Sequence, residues 1–87
     1  MGRQPDPTPD FTRWLDGVRD RMKAQRERCN LSYREAEQRT GVPFASIRRV
    51  EIGDMMPTVQ LVYRLAAGYG VDVSDLLCEA KKSRNRA

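Results

Sequence analysis

Histidine is absent from the 87-residue chain, and cysteine occurs only twice, as Cys29 and Cys78. Two such ligands fall short of the four donors a structural zinc site takes, so no metal is expected within one chain. The most frequent general base is missing as well. The six glycines are isolated rather than grouped as G-x-x-x-x-G-K or G-x-G-x-x-G. The carboxylates Glu35 and Glu37, two residues apart on a helix, face different ways. An enzyme is therefore not expected, and neither is a cofactor. No apolar run approaches the roughly 20 residues that span a bilayer, and the first residues carry no apolar signal core, so a cytoplasmic protein with no membrane partner is expected. Cys29 reads as a small core residue on the apolar face of the first helix. Cys78 falls late in the last helix, where an intermolecular disulfide is disfavoured in a reducing compartment.

Charge, by contrast, is plentiful, at 32% of residues and a net +4, and its distribution says more than its total. Residues 1–53 carry 11 basic and 8 acidic groups, residues 54–80 carry 1 and 4, and residues 81–87 carry 4 and 0. The positive charge lies on the first helices and the tail, with an acidic stretch between. A basic stripe on one face is what a phosphate backbone attracts. The length allows one small domain.

The chemistry concentrates between Leu31 and Gly53. Ser32 followed three residues later by Glu35 is an S-x-x-E capping box, which predicts a helix from Tyr33 through Thr40. Gly41 can take the left-handed conformation that ends it. Pro43 has φ pre-set for a first helical position, so a second helix is predicted over 43–52. Ile47 and Val50 share its inner side, while Ala45, Arg48, Arg49 and Ile52 project roughly opposite. Upstream, residues 1–10 hold Pro5, Pro7 and Pro9 and read as a disordered arm. Asp10 or Thr12 can cap a first helix with Phe11, Leu15, Val18, Met22 and Cys29 at helical spacing, which Gly17 weakens and can break in two. Trp14 marks either a partner contact or packing on the domain's own side. Downstream, Thr58 can cap a fourth helix whose Val59, Val62, Leu65, Ala66 and Tyr69 fill the core, with Gly68 and Gly70 ending it. Asp72 and Asp75 repeat the cap-like spacing before a short fifth helix holding Val73, Leu76 and Leu77. Residues 81–87 form a mobile basic tail.

These residues together resemble the helix-turn-helix family of phage repressor, Cro and Xre-like regulators. The resemblance rests on Leu31-Ser32, Gly41-Val42, Ile47, Val50-Glu51, Gly53, Pro57-Thr58, Val62, Leu65-Ala66, Gly70-Val71 and Leu76-Leu77, in register over about Leu15 to Ala80. It implies an all-α, compact five-helix domain of the lambda-repressor type over 11–80, between the arm at 1–10 and the basic tail at 81–87. By the same resemblance, Phe44, Ala45, Ser46 and Arg49 touch base edges. Ser32, Tyr33 and Arg48 touch backbone or bases, and Arg26 pairs with Glu51 to tie the recognition helix to the first helix.

The chain also departs from the family pattern. Tyr33 stands where the family places a phosphate-contacting Gln. Glu37 replaces a small alanine beside Ala36, so its carboxylate must tilt outward or pair with an arginine. Asp54, Met55 and Met56 replace basic residues, leaving phosphate contacts to the first helix or to Lys81, Lys82, Arg84 and Arg86. The function implied is a sequence-specific DNA-binding transcriptional regulator, a repressor that binds a pseudo-palindromic operator in double-stranded DNA as a homodimer. It would be bacterial or phage-encoded and nucleoid-associated. The alternative is an antitoxin or restriction-modification controller acting with a protein partner, or a protein-binding adaptor on the same fold.

Overall fold

A computed structural model describes residues 9–79 as five helices. These are α1 (Pro9–Arg28), α2 (Tyr33–Thr40), α3 (Phe44–Glu51), α4 (Val59–Tyr69) and α5 (Val73–Leu77). Helix α1 begins inside the segment expected to be an arm, with Asp10 in its first turn, where a carboxylate meets the positive end of the helix dipole. Residues 1–8, Lys81, Lys82, Arg84 and Arg86 lie outside the described residues.

Gly17 does not interrupt α1, which runs unbroken for 20 residues. A glycine in a helix interior costs about 1 kcal/mol relative to alanine, less than the packing of the stripe Leu15, Val18 and Met22 returns. Cys29 lies just past the end of α1 rather than on its apolar face, and its thiol donates to the Tyr69 carbonyl at 3.6 Å. Asn30 follows in the left-handed region, φ 58°, which asparagine tolerates better than most residues.

The other boundaries follow their caps. Ser32 and Glu35 form the reciprocal box, Thr58 accepts the N–H of Leu61 at 3.0 Å, and Asp72 with Asp75 forms a second box. Gly41 closes α2 at φ 80°. Pro43 sits one position before α3, as its N-cap, rather than within it.

Two expectations for α4 need correction. Gly70 alone ends the helix in the left-handed conformation, and Gly68 lies inside it. Gly68 is there for clearance: a Cβ on it would stand 2.5 Å from Thr40 Cγ2 and 2.9 Å from Thr40 Cα, so α2 and α4 cross at this point. Val59 does not enter the core. It is the first residue of the helix and is 87% exposed.

One core joins all five helices: Val18 and Met22 of α1, Ala36 of α2, Ile47 and Val50 of α3, Leu61, Val62, Leu65, Ala66 and Tyr69 of α4, and Leu76 of α5. Helix α5 is further bound to α1 by polar contacts. Arg21 donates to the carbonyls of Leu76 and Leu77 at 2.9 and 3.1 Å, and Trp14 Nε1 donates to the Leu77 carbonyl at 2.8 Å. These donors satisfy carbonyls that the C-terminus of any helix leaves without intrahelical partners. Trp14 thus packs on its own domain through its polar edge while 44% of it stays exposed. Cys78 lies beyond the end of α5, exposed and unpaired as a thiol.

Candidate nucleic-acid interface

Helix α3 is clamped from one side and open on the other. Ile47 and Val50 are 0% exposed, whereas Ala45, Arg48 and Arg49 are exposed, and Phe44 and Ser46 are half-buried at the first turn. The two arginines therefore extend from a rod whose orientation the core has already set. Ile52, just past the helix, is also turned outward at 56% exposure.

Beneath the rod, Arg26 and Glu51 meet in a bidentate pair. Arg26 Nε donates to Oε2 at 2.8 Å and Nη2 to Oε1 at 3.0 Å, while Nη1 donates to the Leu31 carbonyl at 2.9 Å. Arg26 is 8% exposed and the Glu51 side chain 2%, so both charges are nearly removed from water and depend on each other. The hydrogen bond with Glu51 raises the Arg26 pKa above its already high ordinary value, against the opposing effect of burial.

Tyr33 joins this cluster. Its hydroxyl donates to Glu51 Oε1 at 2.9 Å, and the Arg26 guanidinium lies over its ring at 4.1 Å. The phenol has one proton, which Glu51 receives, so Tyr33 helps to hold α3 in place. Burial, then the bond to Glu51, push its pKa up.

Ser32 stays at the surface. Its Oγ accepts the Glu35 N–H at 3.1 Å, which leaves its own proton to donate outward. The Ser32 N–H in turn donates to Glu35 Oε1 at 2.8 Å and holds that carboxyl below its ordinary value.

Glu37 neither tilts away nor pairs with an arginine. Its Oε1 accepts the backbone N–H of Phe44 at 3.0 Å, so a carboxylate from α2 caps α3, where Pro43 offers no side-chain cap. Sequence spacing could not reveal this, because a cap is sought in the residue before a helix and not in the preceding helix. Arg34 was missed too. Its guanidinium lies 4.6 Å from the centre of the Phe44 ring, which adds an exposed cation beside the first turn of α3.

The turn itself is held by Val42, whose N–H donates to Thr40 Oγ1 at 3.1 Å, with its side chain 4% exposed. Two short helices at a fixed angle, with the second presenting arginines, define the helix-turn-helix class of DNA-binding fold.

A family model described as helix-turn-helix matches residues 22–76. The chain belongs to that family, in its Xre and Cro-like branch, and with it to the DNA-binding transcriptional regulators, which are generally not enzymes. No curated protein and no solved structure matches the chain. Among the described residues no helix is long and apolar enough to cross a membrane, and no cluster of side chains could hold a metal ion.

Proposed function

We propose that this protein is a sequence-specific repressor that acts as a homodimer. Its two α3 helices would enter successive major grooves about 34 Å apart on a pseudo-palindromic operator and so occlude promoter DNA. The supporting observation is the two-sided character of α3, with Arg48 and Arg49 exposed opposite a flank of fully buried Ile47 and Val50.

Arg49 is assigned to a guanine, whose two major-groove acceptors fit a guanidinium bidentately. Phe44 and Ala45 offer apolar surface to a thymine methyl, and Ser46 offers a hydroxyl to either kind of edge. Arg48, Ser32, Arg34 and the tail residues Lys81 and Lys82 are assigned to phosphates or neighbouring bases. Arg26, Glu51 and Tyr33 set the position of α3 and touch no DNA.

Titration with duplex DNA across a range of salt tests the reading. Binding that weakens linearly in log K against log salt, and that is lost on replacing Arg48 and Arg49 by alanine, supports it. Salt-independent binding, or no binding at all in dilute buffer, overturns it. A second reading, a DNA-binding antitoxin or controller that works with a protein partner, draws support from the exposed apolar side chains Met56, Val59 and Tyr63.

A further inference from the structure

Phe44, the first residue of α3, meets α2 through both its backbone and its side chain. Its N–H donates to Glu37 Oε1 at 3.0 Å, and its half-buried ring carries the Arg34 guanidinium, whose Cζ lies 4.6 Å from the ring centre. The backbone bond fixes where the ring starts, and the ring in turn fixes where the guanidinium lies.

Arg34 is exposed and, among the described residues, makes no hydrogen bond and no ion pair. Glu35 and Glu37 stand within a turn of it on the same helix, yet both are turned to backbone. Glu35 accepts the Ser32 N–H at 2.8 Å, and Glu37 accepts that of Phe44. Elsewhere in the fold Arg21, Arg26, Arg28, Arg39 and Arg64 all reach carbonyls or carboxylates of their own chain. Arg34 shares its unspent donors with Arg48 and Arg49 of the neighbouring helix, and of these three it alone rests on an aromatic ring.

A guanidinium laid on a ring uses its flat face, while its N–H donors radiate from the edge and stay available to a ligand. A long side chain that is already placed also loses less rotamer freedom when that ligand arrives.

We infer that Phe44 is a positioning residue, whose ring holds the Arg34 guanidinium ready for a phosphate of the bound duplex. One backbone contact made from α2 then depends on the first residue of α3. The inference rests on the DNA-binding reading proposed above and gives Phe44 a role that operates on any sequence, beside its apolar surface. A phosphate is favoured over a base edge because Arg34 projects from α2 and not from the helix assigned to the groove.

Titration of the full chain with a mixed-sequence duplex across a range of salt separates the two roles of Phe44, since base contacts add little where no preferred site exists. Arg34→Ala is expected to weaken binding by about fivefold and to lower the salt slope by about one. Phe44→Leu keeps apolar bulk and the Arg34 charge but removes the π face, and should weaken binding by about threefold. Phe44→Tyr keeps the ring and should bind as the parent does. Arg34→Ala made on top of Phe44→Leu should cost clearly less than Arg34→Ala costs alone, which is the mark of two side chains acting as one. Helical circular dichroism and denaturant midpoints confirm that each variant is compared in its folded state, so a merely structural effect of Phe44 does not enter.

Losses that add in full, or Phe44→Tyr as weak as Phe44→Leu, overturn the positioning role. An Arg34→Ala variant that binds as tightly as the parent, or that loses affinity only on particular sequences, overturns the phosphate assignment. A parent that binds no duplex even in dilute buffer overturns the DNA-binding reading itself, so the two failures are distinguishable.

Discussion

The carboxylate of Glu37 on α2 accepts the backbone N–H of Phe44 at 3.0 Å, so the first helix of the motif caps the second. This bond fixes the first turn of α3, where three of the proposed base-contacting residues lie. Glu37→Ala is expected to cost about 1 kcal/mol of stability, the usual worth of a lost N-cap, measured by urea unfolding. Glu37→Gln keeps an acceptor oxygen and should lose less. Equal losses for the two variants would show that the negative charge, not the bond, matters.

Glu51→Gln leaves the Arg26 guanidinium 8% exposed and without a counter-charge. A loss of about 3 kcal/mol is expected, a large share of the roughly 5–15 kcal/mol that holds a domain together. Tyr33→Phe removes only the neutral bond to Glu51 and should cost about 1 kcal/mol. Denaturant midpoints that leave Glu51→Gln level with the parent would contradict the structural role of the pair.

Arg49→Ala should weaken operator binding by about 1–3 kcal/mol and relax preference at a single base position. A loss of the same size on every sequence would reassign Arg49 to a phosphate. Arg34→Ala, by its place beside Phe44, should weaken binding on all sequences alike and lower the salt slope by about one.

Two helical glycines should respond oppositely to alanine. At Gly68 the new methyl meets the backbone of α2, at 2.9 Å from Thr40 Cα and 3.0 Å from the Arg39 carbonyl, so the helices must part, at a cost of about 1–3 kcal/mol. At Gly17 the nearest atom is the far end of the flexible Arg21 side chain, at 3.0 Å. Gly17→Ala should therefore cost nothing, or gain up to about 1 kcal/mol from helix propensity. Thermal unfolding of both variants checks the contrast.

The Tyr69 hydroxyl is buried and makes no hydrogen bond among the described residues. Burial, and after it the charge of Glu51, raise its pKa far above the ordinary 10.0, and Tyr33 moves the same way. Both phenols thus stay neutral in the folded chain where they ionise in the unfolded one. Their contribution to stability is whole below pH 10 and is lost as pH rises through the raised folded values. Tyr69→Phe should stabilise the domain by about 1 kcal/mol at neutral pH and move alkaline unfolding upward, followed by circular dichroism. A less stable phenylalanine variant would mean that the hydroxyl has a partner after all.

The legible parts of the molecule were those written in neighbouring residues. Ser32 with Glu35, Thr58 and Asp72 with Asp75 each cap within three positions, and the 3.6-residue period separated Ile47 and Val50 from Arg48 and Arg49. The Arg26–Glu51 pair, 25 residues apart, came from family resemblance rather than from spacing. What stayed hidden were contacts between helices whose crossing no local pattern encodes: Glu37 on Phe44, Arg34 over its ring, and Arg21 with Trp14 on the carbonyls of α5. Gly17 and Val59 misled for the same reason. A propensity penalty and an apolar side chain are local facts, whereas packing decides whether a helix continues and which of its faces is covered.

The bonds from Trp14 and Arg21 to Leu76 and Leu77 span more than fifty positions of chain. During synthesis α1 must therefore wait, its donors facing water, until α5 has left the ribosome. Closure of the described domain thus waits on α5, and a chain cut before Leu76 would yield a reading head with no closed body behind it.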